Sequence, residues 1–205
     1  MTRSTPSSRQ TRRSGGQPTR LPLLPLVGGV VAVVLIGVIG FAVYNTIQDR
    51  NIRTAPIEGV QTYSVQRDHV TTAVNQDLGY DQIPPVGGPH DANWQNCGIY
   101  DQPIFSKHAV HSLEHGAVWI TYQPGLAAAD LTKLKGLVAG RDYALLSPYP
   151  DLPSPVVASA WGVQLKLESA DDPRLSNFIR KYAQGPQTPE PGAACFNGTS
   201  VVKAQ

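Results

Sequence analysis

Residues 117–147 read AVWITYQPGLAAADLTKLKGLVAGRDYALLS, and this stretch decides the fold class. Ala117–Tyr122 is a run of β-branched and aromatic residues, the composition of a strand. Between Gly125 and Gly140, Leu126, Leu131, Leu134, Leu137 and Val138 form an apolar helical stripe that Gly140 ends. Asp142–Ser147 is a second short strand. Strand, helix and strand in this order predict a right-handed parallel crossover.

Downstream, Pro148, Pro150 and Pro153 make a rigid turn. Val156–Leu167, VVASAWGVQLKL, reads as one longer strand returning as an antiparallel neighbour across that turn. Asp171-Asp172-Pro173 opens a last helix with an acidic cap and a proline in its first turn, and Leu175, Phe178, Ile179 and Tyr182 continue it. The core order β-α-β-β-α predicts an α+β fold, or α/β, with helices packed on a mixed sheet. Thioredoxin-like and ferredoxin-like arrangements share that order, but the chain has no CxxC motif.

Upstream, Val60–Val65 alternates apolar and polar residues as a short strand does. Gly79–Pro103, GYDQIPPVGGPHDANWQNCGIYDQP, is punctuated by glycine and proline throughout. A loop this long in a compact domain usually serves function. Lys107–His115 then reads as a short helix with Ser106 as N-cap and Gly116 as stop.

The N-terminal quarter is of another kind. Leu21–Tyr44, LPLLPLVGGVVAVVLIGVIGFAVY, has no charged side chain. As a helix it would be about 36 Å long, enough to cross a bilayer core of about 30 Å. Arg3, Arg9, Arg12, Arg13 and Arg20 precede it without an acid, whereas Asp49, Arg50, Arg53 and Glu58 follow it. The positive-inside rule keeps the arginine-rich end in the cytoplasm and the C-terminal part outside. A cleaved signal peptide would need a shorter apolar run and a small-x-small site, and neither is evident. The expected organisation is a disordered basic tail (1–20), a transmembrane helix (21–44), a juxtamembrane linker (45–58) and an extracytoplasmic domain (59–205). The chain would be a single-pass protein of the cell membrane.

Five of the 17 basic residues lie in the tail, and the remainder of the chain faces all 15 acids, so the exported part is mildly acidic. Nucleic acid is not an expected partner. Cys97 and Cys195 are the two cysteines, and outside the cytoplasm a disulfide between them is the first expectation. Metal ligation by Cys97 is the alternative.

The chemistry-bearing run is His111-Ser-Leu-Glu114-His115. On a helix, His111 and His115 face the same way and can chelate one ion. His108 extends this to a three-histidine face, and His69 and His90 lie upstream. Neutral imidazoles suit Zn, Cu, Ni or Fe. H-x-x-E-H is also the inverzincin pattern, in which Glu114 would be a general base and Glu168 or Glu190 a third ligand. Alternatively the histidines are structural. They would then hold the long loop on the sheet, with Glu114 pairing loop N–H groups and Trp94 and Tyr100 as anchors.

The runs PPVGGPHDANWQNCGIYDQPI, AVHSLEHGAVWITYQP and YALLSPYPDLPSPVVASAWG resemble a bacterial family known as domain of unknown function 3105. The resemblance covers about residues 57–198. It implies one N-terminal membrane helix and an exported domain, and it carries no established activity. It singles out His69, His90, Trp94, Tyr100, His111, Glu114, His115 and Trp161, and it leaves out His108. It also implies that a shared metal site does not need Cys97, which favours the disulfide. The combined expectation is a transition-metal site, Zn or Cu, built from His111, His115 and His90. His69 is a fourth candidate, and Glu114 is a ligand or an orienting partner. A scaffold or interaction module and a metal-dependent hydrolase are the other two readings.

Overall fold

The computed structural model describes residues 1, 15, 23–73 and 76–203. The chain divides into two compact units, Met1–Thr46 and Ile47–Gln205. Helix α1 spans Leu23–Thr54, and its described side chains from Val31 onward are nearly all exposed. Val31–Thr54 is apolar and long enough to cross a membrane. The basic tail lies almost wholly outside the described residues, as do Leu21 and Pro22. The helix continues past Tyr44 into the stretch read as linker. It stops at Thr54 because Pro56 disfavours helical backbone at Ala55.

The unit Ile47–Gln205 is built on one mixed sheet with the order β1-β6-β5-β3-β4-β2. Its strands are β1 (Gln61–Thr62), β2 (Gly98–Ile99), β3 (Val118–Tyr122), β4 (Ala144–Pro148), β5 (Val156–Ala160) and β6 (Val163–Leu167). Its helices are α2 (Ser106–Glu114), α3 (Ala128–Val138) and α4 (Pro173–Tyr182). The α+β class and the parallel β3-α3-β4 crossover are as expected, with Val118 opposite Ala144 and Ile120 opposite Leu146.

Two expectations change. The stretch 156–167 is not one strand but a hairpin, with Ala160 opposite Val163. Gly162 turns it at φ +69°, a backbone that a side chain disfavours, and an added Cβ would sit 3.1 Å from the carbonyl oxygen of Tyr63. The return strand β5 is antiparallel but pairs with β3, because the other edge of β4 is taken by β2. The loop residues Gly98–Ile99 thus become an edge strand that the irregular sequence around them concealed.

Alternation along β3 sorts the core into two layers. Val118, Ile120 and Tyr122 face α3 and α4, packing with Leu134, Val138, Leu165, Leu175 and Phe178. Trp119 faces the other way, packing with Val110, Leu113, Leu145 and Trp161 beneath α2. The 79–103 loop and the C-terminal segment cover the outer side of α2, so all nine of its residues are buried. His108 is therefore enclosed too, with its Nδ1 2.6 Å from the carbonyl oxygen of Asn93.

Helix α4 starts as read: Asp172 caps it by accepting from the backbone N–H of Arg174, with Pro173 at its first position. Helix α2 does not. Ser106 is already helical, and the cap comes from a distant residue. Asp77 accepts from the backbone N–H groups of Ser106 (2.9 Å) and Lys107 (3.0 Å), and it pairs with Lys203 at 2.8 Å. Asp77→Ala should cost about 1–2 kcal/mol, read as a lower urea midpoint. An unchanged midpoint would mean that water satisfies those N–H groups equally well.

Candidate metal centre

His111, Glu114 and His115 lie on one face of α2 and its C-terminal end, because residues three and four apart are neighbours on a helix. The loop brings His90 over this face. The extended segment 63–70 brings His69, which bridges His90 in β fashion. Backbone bonds hold that segment in place: Tyr63 N–H to Gly162, Gly88 N–H to Gln66, His90 N–H to Asp68 and Val70 N–H to His90. The close fit needs Gly87, where φ is +153° and a Cβ would come within 2.5 Å of the Val65 side chain.

His69, His90, His111 and Glu114 converge, with one potential ligand atom from each lying within 4.8 Å of the others. Glu114 Oε2 lies 2.9 Å from His90 Nε2, 3.7 Å from His69 Nε2 and 3.8 Å from His111 Nε2. His90 and Glu114 are fully buried and His111 nearly so, whereas the side chain of His69 is 53% exposed. Four ligands around zinc at 2.0–2.1 Å are about 3.3 Å apart, so the wider separations need to close by up to about 1.5 Å and the His90–Glu114 pair to open slightly.

The protonation pattern follows from the backbone. His90 Nδ1 lies 2.9 Å from the carbonyl oxygen of Gly88, and His111 Nδ1 lies 2.7 Å from that of Asp91. A carbonyl oxygen only accepts, so both Nδ1 atoms carry the proton and donate it. Each ring therefore turns its Nε2 towards Glu114. An Nε2 that lies 2.9 Å from a carboxylate oxygen, as in His90, is held there by a proton on Nε2 or by a metal ion. Burial pushes His111 down to about 4, with the charges of His115 and His90 adding to it against the bond to Asp91. Its imidazole is thus neutral near pH 7 and needs no deprotonation before it can ligate.

Glu114 is held as an anion. Burial alone would raise its carboxyl, but the bond from Arg67 and the charge of that guanidinium keep it below the usual range. Arg67 donates from Nε to Glu114 Oε1 and from Nη2 to Glu190 Oε1, which leaves Glu114 Oε2 for the histidines.

His115 stands outside the converging group. Its Nδ1 donates to the carbonyl oxygen of Ala194 (2.7 Å), and its Nε2 lies 3.6 Å from Glu190. The structure therefore replaces the i, i+4 pair by residues from three separate segments. Trp94 packs its ring on His111 and His115, at 5.6 and 5.0 Å between centroids, and donates to the carbonyl oxygen of Phe196. Tyr100 is further off: its hydroxyl donates to the carbonyl oxygen of Asn96, and its ring belongs to the layer under α2. Trp161 edges His90 at 5.9 Å. Cys97 and Cys195 form a disulfide, so neither is a free thiolate.

A family model described as "Protein of unknown function (DUF3105)" matches residues 69–197. The chain belongs to this family. No curated protein and no solved structure matches it. The matched span of DUF3105 contains the complete converging set and both cysteines. Arg67 lies just before it, and nothing in the residue types around Arg67 marked it in advance. The clue available was its position two residues from His69, which in extended backbone puts both side chains on one face. Glu190 was one of two acids the inverzincin pattern left open. It enters the site as a partner of Arg67 and His115. In that pattern the glutamate is left for base work, whereas here both oxygens of Glu114 are engaged.

Proposed function

We propose that this DUF3105 protein is a single-pass membrane protein whose exported domain binds one transition-metal ion through His69, His90, His111 and Glu114. The observation that carries the reading is the convergence of potential ligand atoms. Backbone carbonyls orient the rings of His90 and His111 through Nδ1, a buried carboxylate meets their Nε2 atoms, and a metal ion can take the place of the proton between them. Three imidazoles and one carboxylate suit a borderline ion such as Zn²⁺ or Cu²⁺. The carbonyls of Gly88 and Asp91 would orient the ligating rings, as outer partners do in known metal sites.

The placement outside the cytoplasm rests on the arginine-rich tail before the apolar helix and on the disulfide, which persists in oxidising compartments. The function would then be metal handling at the cell envelope.

Metal analysis of the full-length protein in detergent tests this. Wild type should carry close to one ion per chain after loading and desalting. His111→Ala should carry almost none, and His115→Ala should retain its ion. Absence of metal from wild type, with His111→Ala merely less stable, would leave the histidines a structural role. Loss of the ion in His115→Ala would restore the i, i+4 chelate.

A further inference from the structure

The four residues of the proposed site differ sharply in exposure. His90 and Glu114 are fully buried and His111 nearly so, while His69 is 53% exposed. Arg67, which clamps Glu114 to Glu190, is 48% exposed. These two are the exposed side chains around the cluster, and they share one extended segment. Val65, Arg67 and His69 alternate along it, so all three side chains point to the same face. Val65 packs into the layer beneath α2, Arg67 reaches the carboxylates and His69 reaches the ligand cluster.

The backbone of this segment is pinned on both sides of the site by the carbonyls of Gln66 and Asp68 and by the N–H of Val70. Its side chains are not pinned in the same way. The ring of His69 can leave the cluster by rotation about its own bonds, without breaking any of those backbone bonds. Exposed side chains rotate in picoseconds to nanoseconds. The rings of His90 and His111 cannot do this, since each is tied through Nδ1 to a loop carbonyl and enclosed by its neighbours.

We infer that the site exchanges its ion: His69 is the replaceable ligand, Arg67 is the latch, and the ion enters and leaves across the 63–70 face. The buried half, His90, His111 and Glu114, holds the ion while a ligand from outside takes the position of His69. That ligand is an imidazole, thiolate or carboxylate of an acceptor. A site with four protein ligands releases its ion only when one of them leaves, and His69 is the exposed one. The inference rests on the metal-binding reading above and gives it a direction, transfer as opposed to permanent retention.

Full-length protein in detergent, loaded with Zn²⁺ and mixed with excess chromophoric chelator, reads the release rate directly. Loading of the empty protein reads uptake. His69→Ala should still take up one ion and should release it about tenfold faster or more, because affinity differences fall mainly on the dissociation rate. Arg67→Met should speed both uptake and release, with the affinity changing less than either rate. His90→Ala should take up no ion. The inference is overturned if His69→Ala releases within about twofold of wild type or loads no better than His90→Ala. It is also overturned if Arg67→Met leaves both rates unchanged. Failure of wild type itself to load Zn²⁺ would instead remove the metal-binding reading beneath it.

Discussion

Glu114→Gln should leave the domain folded and abolish tight metal binding. The amide keeps the shape of the side chain, and its oxygen still accepts from Arg67. Its NH₂ group can donate to an unprotonated His90 Nε2, so the contact becomes an ordinary hydrogen bond with neither a proton nor a metal ion on Nε2. The ion loses its only anionic ligand, and affinity should fall by about 100-fold or more, since even outer partners of a metal site are worth 10- to 100-fold. Glu114→Leu should behave differently. It leaves the Nε2 of buried His90 facing an apolar side chain, and an unsatisfied buried polar group costs about 1–3 kcal/mol, whereas half-exposed Arg67 keeps Glu190 and water. Metal titration and urea unfolding of the two variants separate ligation from folding. Wild-type affinity in Glu114→Gln would show that the carboxylate does not ligate.

The double variant Cys97→Ser/Cys195→Ser should lose about 4–5 kcal/mol of stability, as expected for a bridge closing a loop of nearly 100 residues. That is a large share of the 5–15 kcal/mol that holds an ordinary domain together. The loss should also reach the candidate metal centre. The bridge joins the segment bearing Trp94 to the segment supplying Glu190 and the carbonyls of Ala194 and Phe196. Those groups hold Arg67, His115 and Trp94 respectively. Urea unfolding in detergent should show the lowered midpoint, and metal titration under native conditions should show weakened binding. A stability loss under 1 kcal/mol would mean that the tail is held by its own contacts, such as the bond from Asn96 N–H to Thr199.

Local chemistry and distant partners contributed differently to what could be read in advance. The parallel crossover of β3, α3 and β4 was legible because strand and helix periodicities are local and the order of elements limits the topology. The cap at Asp172-Pro173 was legible for the same reason. The hairpin at Trp161-Gly162 was missed, since apolar residues on both sides of the turn gave one continuous pattern. The neighbour of β5 depended on which edge β2 would occupy, and two residues inside a loop carry no periodicity.

The site follows the same division. The sequence by itself marked His69, His90, His111, Glu114 and His115, since imidazoles and a carboxylate on a short helix and in or beside a glycine-rich loop are an unusual concentration. It also placed His111, Glu114 and His115 on one face, because helix geometry is local. Tertiary structure decided which of these residues meet. The 63–70 segment carries His69 and Arg67 across the loop, and the C-terminal segment supplies the carbonyl that turns His115 towards Glu190. Spacing on a helix limits which side chains can share a ligand, but contacts between distant segments determine which of them do. Those contacts come from burial and backbone hydrogen bonding, which no short window of sequence records.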